Sequence, residues 1–189
     1  MSSDEKATNK RTIFIFITAF MLPVILAKIA LDNNWFNQAA TNKGELIQPA
    51  LDMGTLQVKS VDPKWKLLYV LPEKCTESCK NALYSIAQVH SALGKERNRA
   101  ETLVLAFAGS DTEQLALANE QAEYRVVNTN EETLKQVFKD TDIQGIFIAD
   151  TLNNIILRYP VYDNKEDAIL HSRDMLFDIR KVLKLSRIG

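Results

Sequence analysis

The chain has 189 residues, room for one globular domain of about 100–200 residues plus a tail or anchor. Hydrophobic residues make up 46% and charged residues 25%, too apolar for a disordered chain, and six Gly and five Pro exclude fibrous or low-complexity character. The formal net charge of −1 leaves no basic excess to neutralise phosphates, so no nucleic-acid partner is expected.

Residues 12–31, TIFIFITAFMLPVILAKIAL, form an apolar run. As a helix rising about 1.5 Å per residue it spans the roughly 30 Å hydrocarbon core of a bilayer. Lys28 sits near its end, where a long stem reaches the headgroups, and Trp35 and Phe36 follow at the depth of an aromatic belt. A buried soluble helix of this length would show a polar face. A cleaved signal peptide would place Lys28 where a small neutral residue belongs. Lys6, Lys10 and Arg11 precede the run, so residues 1–11 are expected in the cytoplasm and the bulk of the chain outside, where disulfides persist.

Residues 32–55 are rich in turn formers and read as a connector, and the globular domain is expected over 56–189. Leu56, Val58 and Val61 suit a first short strand. Lys66–Leu71 is an apolar run between Pro63 and Pro72, a buried strand. Asn81–Leu93 has helical spacing and ends before Gly94. A strand over Thr102–Ala108 leads to a helix over Asp111–Glu120, capped by Ser110 or Asp111. A strand over Tyr124–Thr129 precedes a helix from Glu131 to Phe138, capped by Thr129 or Asn130. Gly145–Asp150 and Ile155–Pro160 flank a turn at Asn153–Asn154 and read as a β-hairpin. Glu166–Leu185 is a long amphipathic closing helix. Strands alternating with helices argue an α/β domain around a mostly parallel sheet, made mixed by the hairpin. With a Cys pair between the first buried strand and its helix, this is the thioredoxin-like arrangement.

Both cysteines of the chain, Cys75 and Cys79, lie at that turn. A pair this close does not staple a fold by closing a long loop, so a redox or metal role is expected. A helix N-terminus stabilises a thiolate; Lys74 and Lys80 push the same way, and Glu73 and Glu77 oppose them. A thiolate of this kind attacks a disulfide or binds a soft ion such as Cu(I). Within a helix, residues four apart hold their Cβ atoms about 5–6 Å apart, whereas a disulfide needs roughly 3.5–4.5 Å. Cys75 must therefore lie in the preceding loop for the two to bridge. Cys75, the first and more exposed, is expected to be the reactive thiol, with Cys79 its partner. A third copper ligand has few candidates. His90 is too far along the helix, His171 reads as a surface residue, and Met53 and Asp142 are placed by the sequence only in loops.

On the strand followed by C-x-x-x-C, over Leu67–Pro160, the sequence resembles the SCO family of copper-delivery and redox proteins. The segments NKGELIQP, WKLLYVLPEKCTESC and LYSIAQVHSALGKERNR are similar to a group of proteobacterial membrane proteins whose genes accompany cytochrome oxidase assembly genes. The chain departs from SCO proteins in two places. Lys80 stands where they have Pro after the second Cys, and Asp142 stands where their ligand His falls, so only Cys75 and Cys79 carry over. Thioredoxins, too, have a cis-Pro where this chain reads TDIQGIF.

The resemblance implies a single-pass protein of a bacterial inner membrane with its domain in the periplasm. It implies a cytochrome c oxidase assembly factor that meets oxidase subunits or other assembly factors. The pair would act by thiol–disulfide exchange or by transiently holding Cu(I). A general periplasmic thiol–disulfide oxidoreductase, or a domain that only binds a partner, are the alternatives.

Overall fold

A computed structural model describes residues 3–33, 42–56, 58 and 63–186, the side chains of residues 3–9 excepted. The chain divides into two units, Met1–Thr41 and Asn42–Gly189. Trp35, Phe36 and Val61 lie outside the described residues.

The first unit is one helix, α1 (Ser3–Asp32), with Pro23 inside it. Its stretch Lys10–Asp32 is 23 residues long and apolar enough to cross a membrane. Apolar side chains from Ile13 to Leu31 are exposed all round it. The Thr18 hydroxyl donates to the Phe14 carbonyl at 2.9 Å, so this polar group is satisfied within the helix, as a hydrocarbon environment demands.

Among its described residues the second unit has six strands and four α-helices, which are β1 (Glu45–Asp52), β2 (Trp65–Val70), α2 (Glu77–Ala92), β3 (Ala100–Ala106), α3 (Thr112–Glu120), β4 (Arg125–Asn128), α4 (Glu131–Phe138), β5 (Ile146–Ala149), β6 (Asn154–Tyr159) and α5 (Lys165–Leu185). The strands form one sheet in the order β1-β6-β5-β2-β3-β4. β2, β3 and β4 run parallel, while β5, β6 and β1 add antiparallel neighbours. The elements from β2 onward follow the order the sequence implies, with ends shifted by a few residues.

Every residue of β2 is buried, because both faces of the sheet are covered. Alternation splits the core in two. Leu67 and Tyr69 pack with Ile86, Val104, Met175 and Ile179 on the face covered by α2 and α5. Leu68 and Val70 pack with Leu105, Leu134, Phe138 and Phe147 on the face covered by α4. A side chain of this type, fully buried, contributes about 1.5–3 kcal/mol. Lys66 is the exception in the strand; burial lowers its pKa, and its ammonium donates to the Lys64 carbonyl at 2.8 Å.

One expectation is corrected here. The stretch 32–55, read as a connector, contains β1, which pairs with β6 more than 100 residues later through Glu45↔Arg158 and Asp52↔Asn154. Its side chains are mostly exposed and Pro49 interrupts it, so it lacks the apolar signal of a central strand. The first strand expected over Leu56, Val58 and Val61 lies for the most part outside the described residues. Leu56 ends a 3-10 turn over Gly54–Leu56, and Val58 is buried without regular structure. Met53, left open as a ligand, is fully buried in the core.

Candidate functional site

β2 and β3 are adjacent and parallel, so the loops leaving their C-terminal ends lie side by side. In an open α/β sheet that is where a site forms. The loop after β2 carries Pro72 to Thr76 and opens α2. Cys75 lies in this loop, one residue before the N-cap Thr76, and Cys79 is the third residue of the helix. The two sulfurs are bonded in a disulfide, with Cα atoms 5.2 Å apart, inside the range such a bond requires. Cys79 is 1% exposed and packs in the core beneath the helix; Cys75 is partly exposed.

Thr76 gives α2 no side-chain cap; its hydroxyl is instead 2.9 Å from that of Ser78. The support for Cys75 comes from the neighbouring loop. The Cys75 N–H donates to Asp111 Oδ2 at 3.0 Å. Asp111 Oδ1 accepts the Gln114 N–H at 3.0 Å and so caps α3, as expected for that residue. The backbone N–H of Asp111 donates to the Pro72 carbonyl at 2.9 Å. Ser110, buried, donates to the Leu71 carbonyl at 2.7 Å and accepts from the Phe107 N–H at 3.0 Å. These bonds hold the Asp111 carboxyl below the usual carboxylate range, the one from Cys75 first and that from Gln114 next. The second role of Asp111 was not visible in the sequence, where its acidity and its place before a helix signal only the cap.

Lys80, expected to assist the thiolate, is committed to Glu77 at 2.9 Å, and this contact raises its pKa. Beside the disulfide lies a groove of about 440 Å³, lined by Pro72, Glu73, Cys79, Phe107, Ile143 and Gln144 among others. The loop before β5 therefore does approach the Cys turn, but through Ile143 and Gln144. Asp142 itself pairs with Arg158 at 2.7 Å and accepts the Gln144 N–H at 2.9 Å.

The remaining candidate ligands are also occupied away from the sulfurs. His90 Nε2 donates to the Arg97 and Ala100 carbonyls, at 3.2 and 3.0 Å, at the far end of α2. The His171 ring stacks on Tyr162 with centroids 4.4 Å apart. Among the described residues no group of three or more His, Cys, Asp or Glu side chains is placed to hold a metal ion. A disulfide offers no thiolate. Reduced, the pair offers two soft sulfur donors, which fits Cu(I) and does not fit Cu(II), an ion that prefers added nitrogen or oxygen ligands.

A mixed sheet with helices on both faces, and a Cys pair between its first central strand and the following helix, defines a thioredoxin-like domain. Residues 65–186 match the family described as transmembrane-like, thioredoxin-like, C-terminal domain, and the chain belongs to that family. Solved structures with a similar fold include ScoI of Arabidopsis thaliana with copper bound, at 14% identity and a TM-score of 0.48, covering 73% of this chain and 98% of that one. ScoI of Bradyrhizobium japonicum with copper bound is similar at 11% identity and a TM-score of 0.42, covering 69% and 97%. A SCO1/SenC family lipoprotein of Bacillus anthracis is similar at 8% identity and a TM-score of 0.46, covering 75% and 95%. A search among curated proteins finds no match.

Proposed function

We propose that this chain is an inner-membrane-anchored assembly factor for a respiratory cytochrome c oxidase, its thioredoxin-like domain in the periplasm, working through Cys75 and Cys79. The observation that carries the reading is the Cys75–Cys79 bond itself, set between a loop and a helix start, with one sulfur reachable and the other buried. That asymmetry suits exchange. The reduced Cys75 thiolate attacks a partner disulfide; one partner sulfur joins Cys75 and the other leaves as a thiolate. Cys79 then attacks Cys75, releases the partner's second thiolate and closes the bond found here. Two electrons pass to the partner, and a dithiol donor must restore the pair. A Cys pair at an oxidase copper site is the substrate this reading names.

Copper enters this reading as cargo. Cys75 and Cys79 would hold Cu(I) once reduced, their soft sulfurs supplying the affinity. The occupied positions of Asp142, His90 and His171 favour exchange over copper holding as the main chemistry.

The test is trapping. In the full-length chain, Cys79→Ser should accumulate a mixed disulfide through Cys75, and Cys75→Ser should trap far less. Oxidase subunits among the trapped partners, and a weakened oxidase spectrum in a deletion strain, are the expected results. Unrelated partners with a normal spectrum would point to a general periplasmic oxidoreductase, and no trapping at all to a domain that only binds a partner. Active alkaline phosphatase fused after Gly189 is expected from the periplasmic placement; an expressed but inactive fusion would overturn it.

A further inference from the structure

We infer that Asp111 is the positioning residue that keeps Cys75 and Cys79 poised as a disulfide, so that the N-cap of α3 is part of the redox site. The inference rests on the exchange reading above and adds what sets the stability of the bond.

The argument starts from helix geometry. Side chains four apart on a continuous helix hold their Cβ atoms about 5–6 Å apart, too far for an S–S bond. A C-x-x-x-C pair closes only if its first Cys leaves the helical path. In the reduced chain nothing covalent prevents α2 from growing backward by a turn and taking Cys75 into the helix, which would draw the sulfurs apart. A side-chain cap normally stops such growth, but Thr76 makes none. The stop here comes from Asp111, 36 residues away, whose Oδ2 engages the Cys75 N–H at 3.0 Å. Asp111 is itself fixed twice, by capping Gln114 and by donating its own N–H to Pro72 at 2.9 Å. The two loops at the ends of β2 and β3 thus form one strapped unit. Its effect is to raise the effective concentration of each thiol toward the other.

The measured reaction is protein disulfide plus two glutathione going to protein dithiol plus oxidised glutathione. The full-length chain in detergent is equilibrated in glutathione mixtures without oxygen, and the reduced fraction is read by thiol alkylation. Asp111→Ser is the informative variant, because Ser still caps α3 but has no second oxygen for Cys75. It should shift the equilibrium toward the dithiol about tenfold, about 30 mV. Asp111→Asn, with one oxygen to share, should shift it in the same direction by less. Glu113→Gln removes a carboxylate from the same turn of α3 and should stay within about twofold of the parent.

An Asp111→Ser equilibrium within twofold of the parent overturns the inference. So does an equal shift in Glu113→Gln, which would make the effect one of bare charge. If Asp111→Ser does not fold, Asp111→Asn decides by the same criterion. A parent disulfide with no reversible couple would overturn the exchange reading, and this inference with it; a normal parent couple with unshifted variants removes this inference alone.

Discussion

Two aspartates tie remote loops to helices in the same way, and they differ in burial. Asp178, on α5, accepts the N–H groups of Lys43 and Gly44 at 2.8 Å each and the Tyr159 hydroxyl at 2.7 Å. It is 1% exposed. Asp111 makes the matching pair of backbone contacts at the surface, beside Cys75. When a buried acceptor is removed, its donors are stranded without water, and stability falls. When a surface acceptor is removed, water takes its place, and what changes is where the loop rests. Asp178 is therefore a folding element, which binds the first residues of the domain to its last helix. Asp111 is an element of the site.

The largest expected effect tests the folding half of this contrast. Asp178→Ala removes the acceptor of three donors, those of Gly44 and Tyr159 in buried contacts, and should cost about 3 kcal/mol, read by chemical unfolding of the full-length chain. Asp111→Ser should leave the same transition in place, and equal losses in both would erase the distinction. A Cβ on Gly44 would lie 2.5 Å from the Tyr159 ring, so Gly44→Ala should also destabilise by about 1–3 kcal/mol.

Tyr159→Phe removes one bond of the clamp and should cost about 1 kcal/mol near neutral pH. Its effect on pH dependence is opposite in sign. Burial, and then Asp178, raise the Tyr159 pKa, and burial pushes Tyr69 and Tyr124 up to about 12. The unfolded chain loses these protons near pH 10 while the folded chain keeps them. Their contribution is thus complete below about pH 10 and is lost as pH rises through the folded values. Tyr159→Phe should shallow that alkaline loss. An unchanged slope would mean that Tyr159 ionises as freely in the fold as outside it.

The smallest effect expected is that of Lys80→Gln. Its exposed pair with Glu77 contributes little. After reduction, the alkylation rate of Cys75 should change by less than about twofold. A large drop would restore Lys80 as an activator of the thiolate and weaken the emphasis on Asp111.

The helices from α2 on, the strands from β2 on and the Cys turn were legible because their signals are local. β2 and β3 are short apolar runs because both sheet faces are covered. Asp111 and Asn130, each one of two caps expected, precede their helices by one residue, and Cys75 lies two residues before α2. β1 was not legible, because an edge strand half in solvent carries no clear alternation and its partner strand lies at the other end of the chain. Asp142 standing where SCO proteins have their ligand His was legible in the sequence. That Asp142 faces Arg158 while Ile143 and Gln144 face the groove was not.

The sequence by itself determined the apolar helix, the order of α and β elements from β2 on and a pair of thiols at a helix start. Each of these follows from periodicity, capping or spacing within a few residues, and so survives without knowledge of neighbours. Only the tertiary structure decided that Asp111 and Asp178 each reach a loop distant in the chain. Those outcomes depend on which loops the parallel pair β2 and β3, and the closing of β1 onto β6, bring side by side. Backbone N–H groups exposed at such meetings take the nearest carboxylate, whatever its distance in sequence.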